Sequence, residues 1–263
     1  MGIKDITPLD LQQVLNQQEG KSKTQINEVY QALRFLFKHA VENHLRADDP
    51  TLFLQKPIGR HNARRALTRT EREAVLNVAS TDKRYYLYLL MLLCGCRPSE
   101  AAECKGSDIK VIDNCPMLHI RGTKTALSDR LVPLPDRLYL LIKDTPRTAY
   151  IASTRNGNPL TINRSRLWDS FKRQLNLYMG CRVYRHQLVP PYPLAPDLVP
   201  YCFRHEYCSE LARRGVDIRT AQKLMGHSDV TLTANIYTHV DTSDIVAAAE
   251  LINLSDPVSD PNL

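Results

Sequence analysis

Two arginines stand where helices begin or break, and each could hold an oxyanion. Arg97 lies in the segment GCRPSE at 95–100, where the glycine marks a helix break and the proline can start a new helix. Arg204 lies in FRH at 203–205, which opens a later helix. A guanidinium group is planar and always charged, so it can clamp phosphoryl oxygens through two hydrogen bonds. A lone arginine at a helix junction is more often an exposed surface residue, so further groups must support this interpretation.

A tyrosine, a histidine and a lysine supply such groups. Tyr237 lies in IYTH at 236–239, ten residues after His227, and Lys124 lies between two strand-like runs. A deprotonated phenol is a nucleophile, and the same phenolate is a fair leaving group when the reaction reverses. An imidazole can donate a hydrogen bond, and a lysine ammonium can supply a proton. The alternative for Tyr237 is a packing role, because the chain has 12 tyrosines.

Periodic apolar residues predict two helices in the first part of the chain, over 8–15 and 24–45. So few residues enclose little core, so we expect 1–55 to form only part of a helical domain. The following segment 56–66 is rich in positive charge and poor in large apolar residues, which predicts a basic linker. A solvated surface loop is the alternative for this segment.

The second part, 67–263, is expected to be helical with a small sheet. Thr70 with Glu73 resembles a capping box at the start of a helix, and 84–94 reads as an apolar helix. Three strand-like runs separated by turn residues then predict a three-stranded antiparallel sheet, and helical patterns return over 162–178 and in three segments after residue 200. The fold class is therefore mainly α with a small antiparallel three-stranded sheet, that is, α+β. The strand-like runs are 109–112, 117–120 and 130–134.

Composition narrows the class of partner. The 263 residues carry 35 Lys plus Arg against 28 Asp plus Glu, a net charge of +7 and a sequence pI near 9.0, which favours a polyanion. The seven cysteines are scattered and odd in number, so we expect no disulfide framework and no metal site. We find neither a signal peptide nor a run long enough to span a bilayer, and we expect a cytoplasmic protein.

The order of these motifs resembles one known family. The chain has Gly-x-Arg-x-x-Glu, a hairpin lysine, x-x-x-Arg-His, Leu-x-Gly-His and Tyr-Thr-His in succession. Across about residues 67–245 this order is similar to the catalytic domain of the tyrosine recombinase, or integrase, family. The segment 24–50 is similar to the second half of that family's core-binding helical domain, whose usual earlier helices are absent from this sequence.

The resemblance implies a role for each group. Arg97 and Arg204 would stabilise the charge that builds on the phosphate oxygens, and Tyr237 would attack the phosphorus. Lys124 would protonate the departing 5′ oxygen, and His227 would donate to a phosphate oxygen or order the nucleophile's helix. Glu100 and His205 would position these residues without contacting the DNA themselves. The linker arginines would contact DNA phosphates; they are Arg60, Arg64 and Arg65.

The sequence departs from the family at one position. The family usually has a histidine three residues before its second catalytic arginine, and this chain has Tyr201 there. A phenol can donate a hydrogen bond to a phosphate but is a poor proton acceptor near neutral pH. Either Tyr201 supports binding alone, or another group deprotonates Tyr237; simple packing is the remaining alternative.

As a whole, the resemblance implies a site-specific recombinase of bacterial or phage origin that integrates or excises a mobile element through a 3′-phosphotyrosine. Its partners would be a double-stranded DNA site, further copies forming a tetramer on two sites, and an accessory directionality factor, with no cofactor and no membrane. The apolar helix within 242–263 would dock on a neighbouring protomer or on its own domain. The alternatives are a DNA-binding protein that has lost catalysis and a type IB topoisomerase-like enzyme.

Overall fold

The computed structural model describes residues 2–59, 65–122, 128–160 and 164–237, and the chain divides into two compact units, Met1–Ala63 and Arg64–Leu263. The division falls inside the segment 56–66 that the sequence predicts as a linker. None of the helices in the described ranges combines the length and the apolarity that a bilayer-crossing helix requires.

The first unit contains two helices, α1 (Pro8–Asn16) and α2 (Lys23–Glu42). Each begins with a capping box, in which a hydroxyl and the third helical residue exchange hydrogen bonds with backbone N–H groups. Their apolar faces meet in a small core built on Leu11, Leu15 and Phe37. Phe35 and Phe53 lie on the outside of this unit and are largely exposed.

Within the described ranges, the second unit holds the remaining helices and both sheets. Its elements in chain order are α3 (Arg69–Ala79), α4 (Tyr86–Cys94), α5 (Pro98–Glu103), β1 (Ile109–Ile112), β2 (Cys115–Ile120), β3 (Arg130–Pro133), α6 (Asp136–Ile142), α7 (Arg164–Tyr178), β4 (Val183–Tyr184), β5 (Gln187–Leu188), α8 (Pro200–Arg213), α9 (Ile218–Met225) and α10 (Thr231–Tyr237). The predicted fold class is confirmed. Helix α6 and the β4–β5 hairpin were not predicted.

Helix α3 begins two residues earlier than its sequence suggests. Its N-cap is Thr68, whose hydroxyl accepts a hydrogen bond from the Glu71 N–H, so the predicted pairing of Thr70 with Glu73 is wrong. Both pairs have the same spacing, but the Glu71 carboxylate is buried and also accepts two short hydrogen bonds from Arg65. This ion pair favours the earlier register.

The three-stranded sheet has the order β1-β2-β3 with antiparallel neighbours, and Leu118 pairs with both Ile109 and Val132. Side chains alternate between the two faces, so Arg130 lies on the same inner face of β3 as Val132. A buried arginine therefore projects from the start of a strand.

An almost wholly buried helix, α4, packs against α8 at the centre of the second unit. The rings of Tyr88, Phe171 and Phe203 join α4, α7 and α8, with the Tyr88 and Phe171 ring centroids 4.4 Å apart. Such packing fixes the position of α8, which carries Arg204. All seven cysteines are free thiols, and six of them are buried.

Candidate active site

Three successive carbonyl groups at the end of α9 each accept a hydrogen bond from a different arginine. The pairs are Leu224 O with Arg130 Nε (2.8 Å), Met225 O with Arg204 Nη2, and Gly226 O with Arg97 Nη2 (2.8 Å). The last carbonyls of a helix lack intrahelical partners and carry the negative end of its dipole. The end of α9 thus collects three guanidinium groups from three other elements.

Glycines at two helix ends make this arrangement possible. Gly226 ends α9 with a φ of 61°, and Gly95 ends α4 with a φ of 62°. Both values lie in the left-handed region that glycine adopts without steric cost. A Cβ at Gly95 would also lie 2.4 Å from the Tyr207 ring, and the Gly95 carbonyl accepts a hydrogen bond from Arg204 Nη1. The glycine of the GCRPSE motif therefore positions one arginine and admits a neighbouring ring.

A single carboxylate, that of Glu100, balances the arginines. It accepts hydrogen bonds from the Arg97 backbone and side chain at 2.7 Å and from Arg130 Nη2 at 2.9 Å, and it lies 3.9 Å from Arg204 Nη1. Burial alone would raise the pKa of Glu100, but the hydrogen bonds and charge of Arg130, with those of Arg97, lower it to about 2. Glu100 is therefore ionised, and it supports the arginines as the resemblance implies.

Arg130 is a member of this cluster that the sequence motifs did not predict. Its guanidinium group is buried, and it donates to the Leu224 and Ser128 carbonyls as well as to Glu100. The available signal was the alternation in β3, which places Arg130 on the same face as Val132. The sequence alone predicts this segment only as a strand.

His227 follows Gly226 and faces the arginine cluster. Its Nδ1 lies 3.0 Å from the Thr233 hydroxyl of α10, and its backbone N–H and carbonyl both bond to Gln222. Burial first, and then the three guanidinium groups, lower the pKa of His227 to about 4. The imidazole is therefore neutral near pH 7, with one nitrogen engaged by the helix that carries Tyr237.

Arg204 is almost wholly buried. Burial, followed by the charges of Arg97 and Arg130, lowers its pKa to about 10, and the group stays protonated at neutral pH. Tyr201 lies one turn earlier on the same face of α8 and is 43% exposed. His205 instead forms its hydrogen bond with Ser209 inside α8, and burial lowers its pKa.

The hydroxyl of Tyr237 lies apart from the arginine cluster. Tyr237 is the last described residue of α10 and packs on a group of buried residues that includes Tyr207, Cys208 and Met225. Its oxygen is buried and has no hydrogen-bond partner among the described residues. Burial first, and then Cys208 and Asp217, raise the pKa of Tyr237 to about 12. Arg97, Glu100, Arg204 and His227 are thus together, whereas the Tyr237 hydroxyl occupies an apolar contact beside them.

The remaining predicted residues lie outside this cluster or outside the described ranges. Lys124, Arg60 and Arg64 are among the residues that the structure does not describe. Arg65 donates two hydrogen bonds to Glu71 at 2.7 Å and two to Asp197 at 2.8 and 3.0 Å. As a DNA contact Arg65 stays a prediction, and in this structure its guanidinium group serves an internal ion pair.

A mainly helical frame with a small sheet holds three arginines, a glutamate and a neutral histidine, with a tyrosine on α10 beside them. This combination defines the class of tyrosine recombinases. Comparison with known families agrees. Residues 65–244 match the sequence model described as "Phage integrase family", and the chain belongs to that family.

Individual relatives cover most of the chain. It is similar to tyrosine recombinase XerD of Yersinia pestis, with 28% identity over 90% of this chain and 78% of the relative. Tyrosine recombinase XerA of Thermococcus kodakarensis is 31% identical over 89% of this chain and 77% of the relative. The resemblance inferred from the motifs is confirmed.

Solved structures share the fold. The Tn1549 transposon integrase in complex with circular intermediate DNA superposes with a TM-score of 0.67 at 20% identity, covering 95% of this chain and 86% of that one. A lambda integrase dimer bound to a core site gives a TM-score of 0.63 at 18% identity, covering 92% and 84%.

Proposed function

We propose that this tyrosine recombinase integrates or excises a mobile element, cutting and rejoining DNA through a 3′-phosphotyrosine at Tyr237. The observation that carries the proposal is the set of three guanidinium groups fixed on the end of α9 around one carboxylate. Three positive charges against one negative charge leave an excess of about two, which suits a phosphodiester that gains negative charge as it is attacked. The binding-only and topoisomerase-like alternatives are not favoured.

The three arginines differ in how many of their N–H donors are already used in hydrogen bonds within the protein. A guanidinium group has five N–H donors. Among the described residues, the side chains of Arg97 and Arg204 each use two donors, whereas Arg130 uses four through bonds to Leu224, Ser128 and both Glu100 oxygens. We therefore assign phosphate binding to Arg97 and Arg204, and the positioning of Glu100 to Arg130.

The proposed step is a transesterification. The Tyr237 oxygen bonds to phosphorus as the bond from phosphorus to the 5′ oxygen breaks. The phenol passes its proton to a base, for which the neutral imidazole of His227 is the candidate, and the 5′ oxygen gains a proton from Lys124. The phosphotyrosine conserves the bond energy, so attack by the 5′-hydroxyl of a partner strand reverses the chemistry without a nucleotide. Because the Tyr237 hydroxyl is buried in an apolar contact, α10 must move before the attack.

A covalent complex tests this proposal. Nicked duplexes tiled across the DNA that flanks the coding sequence are incubated with the protein and separated on a denaturing gel. We expect a protein–DNA adduct on one duplex that is lost in Tyr237→Phe and kept in Tyr139→Phe, which removes the hydroxyl of a half-buried tyrosine of α6. Absence of an adduct on every duplex, with DNA binding intact, would support the binding-only alternative.

The assembly is also a proposal. Recombination joins two duplexes, so we infer a tetramer on two DNA sites, acting in the bacterial cytoplasm, with an accessory factor setting its direction. The likeness to a lambda integrase dimer bound to its core site supports self-association on DNA. Capture of a second labelled duplex by an immobilised protein–DNA complex tests for the tetramer. A complex that holds only one duplex at every protein concentration would contradict the proposed assembly.

A further inference from the structure

A short two-stranded hairpin projects from the second unit between α7 and α8. Strands β4 and β5 pair antiparallel, with Val183 opposite Leu188 and Tyr184 opposite Gln187. Tyr184 is 64% exposed, and Val183 is 47% exposed. Neither the arginine cluster nor the packing of the core accounts for an aromatic side chain at this position.

The turn of this hairpin has residues that its backbone does not favour. Arg185 and His186 connect the strands with φ values of 46° and 65°. Two-residue turns with positive φ at both positions strongly prefer Asn-Gly, because a side chain in the left-handed region costs about 1–2 kcal/mol. Stability of the turn alone would not select these two residues, which indicates that their side chains serve another purpose.

The hairpin is basic. The Arg185 guanidinium lies 5.3 Å from the centre of the Tyr184 ring, and Arg182 precedes the first strand. Between Asp169 and Asp197 the sequence has no acidic residue. Within the ranges that the structure describes, neither Arg182 nor Arg185 forms an ion pair. Both cations are therefore available to an external anion.

The base of the hairpin is fixed to the core. The Val189 N–H donates to the Arg182 carbonyl at 2.9 Å, and the Cys181 N–H donates to the Asn176 carbonyl at 2.9 Å. The Asn176 side chain also accepts a hydrogen bond from Leu194, which is buried. These contacts fix the two strands to α7, so the cations and the exposed ring project from a rigid support.

We propose that the hairpin is a further DNA contact of the second unit, in which Arg182 and Arg185 bind backbone phosphates while the ribbon lies against a groove. A two-stranded ribbon fits the major groove of duplex DNA, and two arginines without an ion-pair partner among the described residues suit its phosphates. The inference rests on the proposed function, since it adds a binding surface to the same reaction.

Equilibrium binding to a labelled duplex of random sequence across a range of salt concentrations tests the proposal. All variants are made in the full chain with Tyr237→Phe, so cleavage does not interfere. Arg185→Asn with His186→Gly installs the favoured turn and removes the cation. We expect the thermal midpoint to stay level or rise, affinity to fall roughly eightfold at about 0.1 M salt, and the salt slope to shrink by about 0.9.

Arg182→Asn added to this variant should shrink the slope by about a further 0.9. The matched control is Arg155→Asn, which removes an exposed cation from a turn elsewhere on the unit and should leave the slope unchanged. Unchanged affinity in the hairpin variants, or an equal loss in the control, would overturn the inference. If the unmodified chain forms no adduct while the hairpin variants still lose affinity, the proposed chemistry fails and the DNA contact stands.

Discussion

Removing the charge of Glu100 is the sharpest test of the arginine cluster. Glu100→Gln keeps the size of the side chain but places an amide where Arg97, Arg130 and Arg204 face one carboxylate. Three buried or half-buried cations then lose their counter-ion. In addition, the N–H groups of the new amide face guanidinium N–H groups, so hydrogen-bond donors face donors. Breaking a buried ion pair by removing one partner typically costs about 3–5 kcal/mol.

The pKa of Glu100 gives a second estimate of the same quantity. A fall from the ordinary value of 4.5 to about 2 corresponds to about 3 kcal/mol at 1.36 kcal/mol per pKa unit. Because the folded-state pKa is lowered, this stabilisation is present above about pH 4.5 and is lost as the pH falls towards 2. The difference between wild type and Glu100→Gln should therefore narrow from about 3 kcal/mol near pH 7 to about 1.5 kcal/mol near pH 3.

Unfolding in urea at several pH values measures this difference in the free energy of unfolding. The midpoint of thermal unfolding of Glu100→Gln should lie roughly 6–12 °C below that of wild type near pH 7. Glu103→Gln is the matched control, because Glu103 is exposed on the same helix and should change stability by less than about 0.5 kcal/mol. Equal stability of Glu100→Gln and wild type near pH 7, or a difference that ignores pH, would refute the assignment of Glu100 as the counter-ion.

Three further predictions concern the residues around the cluster. Thr233→Val should slow adduct formation about fivefold to tenfold and alter the pH profile of the rate, because His227 loses a hydrogen bond. Thr233→Ser keeps the hydroxyl and should restore the rate and the pH profile. Equal rates in the two variants would contradict a role for this hydrogen bond. Gly95→Ala should lower the free energy of unfolding by more than about 2 kcal/mol, because the new Cβ meets the Tyr207 ring. Gly157→Ala, at a φ of 79° with open space around it, should lower the same quantity by only about 1–2 kcal/mol. Equal losses in the two variants would exclude the clash with Tyr207. Tyr201→Phe should slow cleavage moderately and Tyr201→His should be tolerated; an inactive histidine variant that still binds DNA would refute a role at the phosphate.

Motif order was enough to predict Arg97, Arg204 and His227 as a cluster. Arg97 is the N-cap of α5 and His227 follows the glycine that ends α9, whereas Arg204 lies in the second turn of α8 and is positioned by the packing of that helix. The same motifs gave no sign of the three carbonyls that hold the arginines. Every residue has a backbone carbonyl, so the sequence does not indicate which carbonyls accept a hydrogen bond from an arginine. Thr233 was missed for a related reason, since one threonine on a short helix looks like any other.

Contacts between distant positions account for the other differences. Arg65 looked like a linker cation for DNA, but it pairs with Asp197, which lies 132 positions further along the chain. Arg130 lies in a run that the sequence predicts as a strand, and only the register of the sheet shows that its side chain points inward. The β4–β5 hairpin was not predicted because its Arg-His turn lacks the glycine and asparagine that mark most such turns.

The two protonation states in the site decide when cleavage can begin. With a pKa of about 12 for Tyr237 and about 4 for His227, moving the phenol proton to the imidazole would be uphill by about 8 pKa units, or about 11 kcal/mol. A bound phosphodiester would oppose the arginines' field at His227 and raise its pKa, while a Tyr237 hydroxyl moved beside the same arginines would have its pKa lowered. Both shifts require DNA in the site and α10 displaced, so we expect proton transfer from Tyr237 to follow these two changes. Since Thr233 joins His227 to α10, the pH profile of Thr233→Val reports on this coupling.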